Sequence, residues 1–258
     1  MPRIKPIEHE DRLSIVEHLD ELRSRLIVCA LTLAVAFGLC LWQNHRLLDI
    51  ANDPLGGREP ITLSPAEAFT TTMTVAAYFA LMLALPVILY HLYAFVLPAF
   101  TPKEKRVAKP LLLMIPLLFV AGVVFGYFVV IPGALDFLLD FNNDQFQNEI
   151  RARDYYSFIS MTLIAMGGIF QVPVGILAAT KLGLTSARKL RKNRRYALLI
   201  IAIVAAALPG VDPVTMLIEM VPLLVLFELS ILLAAVFGRP SEDAETEVGD
   251  RLASAEGS

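Results

Sequence analysis

The stretch His18–Trp42, HLDELRSRLIVCALTLAVAFGLCLW, sets two acids and two arginines directly against 17 consecutive uncharged residues. A bilayer core of roughly 30 Å takes about 20 apolar residues as a helix, with a lower limit near 17, so this run reads as a membrane span with a charged lip. Five more apolar runs follow, at residues 73–97, 110–130, 158–180, 197–208 and 214–237, in a chain of 258 residues that is 56% hydrophobic. Backbone polar groups in lipid must be satisfied within their own segment, which selects helices. The sequence therefore predicts an all-α, polytopic membrane protein with six transmembrane helices and both termini on one side.

The cations decide which side. Of the 22 Lys and Arg, 18 lie on the face holding the termini, the second loop and the fourth loop. Only Arg46, Arg58, Arg151 and Arg153 lie on the other. Cytoplasmic loops collect Lys and Arg, so the N- and C-termini are expected in the cytoplasm. The net charge of -3 conceals this asymmetry and points to no nucleic-acid partner. The first 25 residues are charged and no small-residue cleavage pattern follows, so retention of the N-terminal segment is expected. Cys29 and Cys40 are eleven residues apart. That is about 16 Å along a helix, beyond disulfide reach.

Three segments are expected: a cytoplasmic amphipathic helix in residues 1–25, a six-helix transmembrane domain in 26–237, and a disordered acidic cytoplasmic tail in 238–258. Ser14-Ile-Val-Glu17, Ser64-Pro-Ala-Glu67 and Thr101-Pro-Lys-Glu104 each match a helix-starting capping box. The outer loop from residue 43 to 64 is rich in turn signals, Asp53-Pro54 and Gly56-Gly57 among them. Pro86 inside the second run predicts a kink and Pro98 its end. Residues 136–154 are expected to form a polar outer cap. The fifth run has only twelve residues, about 18 Å, and joins the sixth through Pro209-Gly-Val-Asp-Pro213, a shallow hairpin.

Gln171 and Glu228 each lie nine residues from the cytoplasmic end of their runs, about 14 Å deep, and Glu219 is a third polar group within the membrane. Such groups face protein or water. Two readings stand open for Gln171 and Glu228: hydrogen bonds that join helices, or a direct role. There is no HExxH pair, GxSxG elbow or Walker loop, and no clustered metal ligands, so neither an enzyme nor a cofactor is expected. His91 reads as a packing residue.

Several long motifs occur in order: HLDELRSRL at the start, LPVILYHLYAFVLPAFTPKEKR over 85–106, FGYFVVIPGALDFL over 125–138, FQVPVGILAATKLGL over 170–184, and RKNRRYALL over 191–199. Together they resemble the TatC family, the signal-peptide receptor of the twin-arginine protein translocase, across roughly residues 13–237. The resemblance implies a concave helical wall in the bacterial plasma (inner) membrane. It also implies a non-enzymatic subunit that binds twin-arginine signal peptides of folded cargo, oligomerises within its complex, and works with TatA-type and TatB-type single-span partners on the proton-motive force.

The family's recognition acids carry over onto Glu21 and Glu104, and His18, Arg23 and Phe95 match motif positions beside them. A guanidinium offers a planar fork that a carboxylate meets with two parallel hydrogen bonds, whereas lysine offers a point charge. Each acid has a plainer role as well: Glu104 as the third residue of a capping box, and Glu21 as an i, i+4 partner of Arg25. Gln171 and Glu228 would form a polar seam along the groove for the apolar part of the signal peptide. Pro54, Asp212 and Tyr127 read as structural, with Asp212 an N-cap candidate. Some family members carry Glu where this chain has Gln171, and its outer turn LPGVDP differs from TPPD-like sequences elsewhere. The competing function is a proton-coupled small-solute secondary transporter, motivated by Glu219 and Glu228 and weakened by the absence of inverted repeats.

Overall fold

The computed structural model describes residues 9–96, 102–141, 145, 149–181, 183–210 and 212–237; side chains are described from residue 18 onward, except at 96 and 102–111. Ten α-helices are seen among these residues: α1 His9–Trp42, α2 Asn44–Asn52, α3 Glu67–Val96, α4 Pro102–Phe125, α5 Ile131–Asp140, α6 Ala152–Ile169, α7 Val172–Lys181, α8 Ala187–Lys192, α9 Arg194–Ala207 and α10 Pro213–Phe237. Five helical stretches, starting at His18, Glu67, Leu112, Ala152 and Pro213, are long and apolar enough to cross a membrane. The chain is an all-α, polytopic membrane protein. The run expected as the fifth span is α9, which is not one of these five stretches; its 14 residues reach about 21 Å, short of the roughly 30 Å hydrocarbon core.

Four local expectations change. Ser14 and Glu17 lie inside α1, which runs unbroken from His9 through the first span, so no helix starts at that capping box. The outer loop contains α2, because Leu47, Leu48 and Ala51 recur at helical spacing and pack on the core. The third span does not stop at Val130: a π-helical turn over Gly126–Val130, closed by the Ile131 N–H on the Gly126 carbonyl, carries the helix into α5 as far as Asp140. This turn lies just before Pro132, which supplies no N–H of its own. Asp136 is therefore helical, and the outer connection is shorter than expected. The fourth span breaks at Phe170–Gln171 into α6 and α7, two residues before Pro173. That proline likewise cannot donate to the preceding turn.

α3 packs along α1, α4 and α6, while α10 packs on α7, α9 and α5. One core gathers residues of α1, α2, α3 and α6 around Ala51, Phe79 and Ile159; a second gathers α6, α9 and α10 around Met166, Ile201 and Ile231. α4 meets α6 through glycine. A Cβ on Gly122 would lie 2.5 Å from the Met166 carbonyl oxygen, and one on Gly167 2.5 Å from the Phe119 ring. Gly122 and Gly126 are four apart, the small-xxx-small spacing that lets membrane helices approach closely.

The end of the molecule opposite the charged lip is clamped by side chains. Tyr127 Oη donates to the Ile50 carbonyl at 2.8 Å, Tyr155 Oη to the Ala51 carbonyl at 2.6 Å, and Tyr156 Oη to Asn52 Oδ1 at 2.9 Å. The last carbonyls of a helix have no intrahelical donor, and these tyrosines supply two of them at the end of α2. The chain then turns over Asp53–Leu55, with Pro54 within a single 3₁₀ turn and Gly56 in the left-handed region at φ 60°. Farther on, Arg151 meets both oxygens of the buried Glu67, at 2.8 and 3.4 Å, and the Leu63 N–H donates to Glu67 Oε2 at 2.9 Å. Glu67 thus reaches one residue past the N-cap position that a capping box would use. Tyr155→Phe should cost about 1–2 kcal/mol by leaving the buried Ala51 carbonyl without its donor. Thermal unfolding in micelles reads this; an unchanged midpoint would deny the clamp any energetic role.

Candidate functional site at the charged lip

The acids of HLDELRSRL sit on the segment of α1 that leads into the membrane, against the far end of α3. Helical spacing puts His18, Glu21 and Arg25 on one face, because residues three and four apart are neighbours. The Glu21 carboxylate hydrogen-bonds the Arg25 guanidinium, and His18 Nδ1 stands 3.7 Å from Glu21 Oε2. Two contacts tie this face to α3. The His18 ring stacks on Phe95 with centroids 4.3 Å apart and planes 12° from parallel, and Arg25 Nη1 donates to the His91 carbonyl at 3.0 Å.

Three of the expected lip residues, His18, Glu21 and Phe95, therefore come together. Arg23 does not join them: two residues from Glu21, it projects from another face of α1 and is exposed. Glu104 belongs to α4, and its side chain lies outside the described residues, as do Pro98 and Thr101. Sequence reasoning treated Arg25 only as a local ion-pair partner of Glu21. Its second bond, to a carbonyl 66 residues away, was not legible, because nothing in a sequence marks which distant backbone oxygen an arginine will meet.

The Glu21 side chain is partly exposed, with 37% of it open, and Arg25 covers only part of its carboxylate. A carboxylate has about four lone-pair sites, so one guanidinium leaves acceptors free for a second. The arrangement is a small acidic mouth framed by a stacked aromatic pair, able to accept a planar cationic group. Among the described residues no group of three or more His, Cys, Asp or Glu is placed to hold a metal ion.

The polar groups farther in do not form a shared seam. Gln171, at the break between α6 and α7, donates from Nε2 to the Ile115 carbonyl of α4 at 3.2 Å and to the Gly167 carbonyl at 3.4 Å. It bridges helices. Glu228 joins α10 to α9: half of its side chain is exposed and it accepts from Arg194 Nη2 at 2.7 Å. The short α9 starts at Arg194, which brings that guanidinium to the level of Glu228. Replacing Glu228 by Gln is accordingly expected to move the unfolding midpoint little, since exposed pairs contribute about 0–1 kcal/mol. A large drop would show that the pair is structural.

Glu219 is the most deeply buried acid among the described residues, only 1% exposed, with neither carboxylate oxygen hydrogen-bonded. Asp212 Oδ1 accepts the Thr215 N–H at 2.7 Å, which caps α10 in front of Pro213. Asp212, Pro54 and Tyr127 thus serve in turns and caps at helix ends.

Comparison with known proteins points one way. The family model described as TatC, Sec-independent protein translocase protein, matches residues 17–222. A Sec-independent protein translocase protein TatC of Desulforapulum autotrophicum is 35% identical over 246 residues, covering 93% of this chain and 91% of that protein. The chloroplastic TATC of Arabidopsis thaliana is 34% identical over 230 residues, covering 88% of this chain and 67% of that protein. A crystal structure of a twin arginine translocase receptor, TatC in DDM, superposes with a TM-score of 0.74 at 33% identity, covering 84% of this chain and 99% of that one. The solute-transporter reading finds no support in any of these.

Proposed function

The chain belongs to the TatC family of Sec-independent protein translocase proteins, a multi-pass membrane component of the Tat machinery and not an enzyme, and on that premise we propose that it is the subunit that receives twin-arginine signal peptides. The observation that carries this reading is the partly exposed Glu21 side chain on the α1 lip, held between Arg25 and the stacked His18–Phe95 pair. One arginine of the signal docks on Glu21, and the second on Glu104, one turn into α4. His18 and Phe95 hold the α1 lip against α3 and offer an aromatic surface to the residues beside the arginine pair. Arg23 lies on another face of α1, exposed to one side of this contact.

Both termini face the cytoplasm of a bacterial plasma membrane in this proposal, because the Lys and Arg concentrate on that side. TatA-type and TatB-type single-span subunits are the expected partners, with further copies of this chain in the complex. Titration of the purified protein with a synthetic signal peptide tests the assignment. Arg-Arg peptide should bind at least about tenfold more tightly than Lys-Lys, because the second parallel hydrogen bond of each guanidinium is lost. Equal affinity would leave the lip a generic acidic surface.

A further inference from the structure

On the opposite part of the molecule an apolar groove of about 570 Å³ runs between α7, α8, α9 and α10. Its walls change character along their length. Ile176, Ile200, Val204 and Leu223 line the deep end, whereas Lys189, Asn193 and Tyr196 line the mouth. α9 sets this gradient, because it starts just after Asn193 and its groove side becomes wholly aliphatic within two turns.

The mouth is cationic beyond its lining. The Arg195 guanidinium lies over the Tyr196 ring, 4.9 Å from the centroid, and Nη2 donates to Tyr196 Oη at 3.2 Å, so it is held at the rim. Glu228, the acid of α10 that reaches the start of α9, is occupied by Arg194 at 2.7 Å and leaves Arg195 its charge. None of the described lining residues is acidic. An aliphatic slot ending in Lys, Asn and a pinned Arg has the polarity of one molecule, a lipid with an acyl chain below and an anionic phosphate above.

We propose that this groove is a binding site for an anionic phospholipid, its acyl chain between α9 and α10 and its phosphate between Lys189, Asn193 and Arg195. Charge complementarity selects this occupant. Basic residues at a membrane surface attract anionic headgroups by about fivefold per Lys or Arg, whereas a zwitterionic lipid, whose phosphate is balanced by its own cationic group, gains far less, and an apolar partner helix gains nothing from the cations at the mouth.

The test is native mass spectrometry of the full chain in micelles titrated with phosphatidylglycerol or phosphatidylcholine of identical acyl chains. The expected result is at least about tenfold preferential retention of phosphatidylglycerol. That preference should disappear in Lys189→Gln/Arg195→Gln, while Ile200→Trp, which fills the groove at an exposed position, should reduce retention of both lipids. Unchanged unfolding midpoints would establish that both variants fold. Equal retention of the two lipids by the native protein would overturn the proposal, and so would a preference that survives the double substitution. Displacement of the lipid by glycerol phosphate at equal concentration would make the mouth a plain anion site and also overturn it.

Discussion

Glu21→Gln combined with Glu104→Gln is expected to lower affinity for a twin-arginine signal peptide by roughly 100-fold, about tenfold per carboxylate. The amide keeps the size of the side chain and one acceptor oxygen, but it loses the charge and the paired acceptors that a guanidinium fork requires. Glu21→Gln also weakens the bond to Arg25, yet Arg25 keeps its bond to the His91 carbonyl, so α1 should stay docked on α3. An unfolding midpoint close to that of the native protein, measured on the same preparation, separates lost recognition from lost structure. Retained binding in a folded double variant would remove the two acids from the account.

The second large effect concerns the helix crossing. Gly167→Val should destabilise the protein by about 3 kcal/mol or more, because even a single Cβ meets the Phe119 ring at 2.5 Å and that ring is fully buried. Gly122→Val acts on the same crossing from the other helix, where the obstacle is the Met166 backbone carbonyl and cannot rotate away. Both variants should lose most of their folded yield in micelles, whereas Gly168→Ala, with open space around its Cβ position, should not. If Gly167→Val and Gly168→Ala behaved alike, the close approach of α4 and α6 would not be a determinant of the fold.

The five long apolar spans were legible because hydrophobicity over 20 residues is a local property that neighbours barely alter. The short apolar helix α9 was legible for the same reason. Tyr127 was read as structural without its partner, and Tyr155, Tyr156 and Arg151, which close the same end of the molecule, were not assigned that work, since each finds its partner on another helix or loop. Gly122-x-x-x-Gly126 was present in the sequence and went unread, although its spacing is the local signal for such a contact. Pro173 was likewise visible, but a proline in an apolar run permits either a kinked helix or a break, and only packing decides which.

At the lip, the aromatic and acidic residues were legible as a motif and their assembly was not. The stack of His18 on Phe95 joins positions 77 apart in the chain. Glu228 was legible as a polar group on an apolar helix, but its partner was not: Arg194, 34 positions away at the start of the short α9, meets it at 2.7 Å.

The most direct test of the receptor assignment is site-specific crosslinking from position 21 of the purified full chain to a synthetic signal peptide, carried out in parallel with Arg-Arg and Lys-Lys versions. The account predicts a strong crosslink to the Arg-Arg peptide that falls to background with Lys-Lys, and the same from position 104. A crosslink of equal strength to both peptides, or none to either, would contradict it.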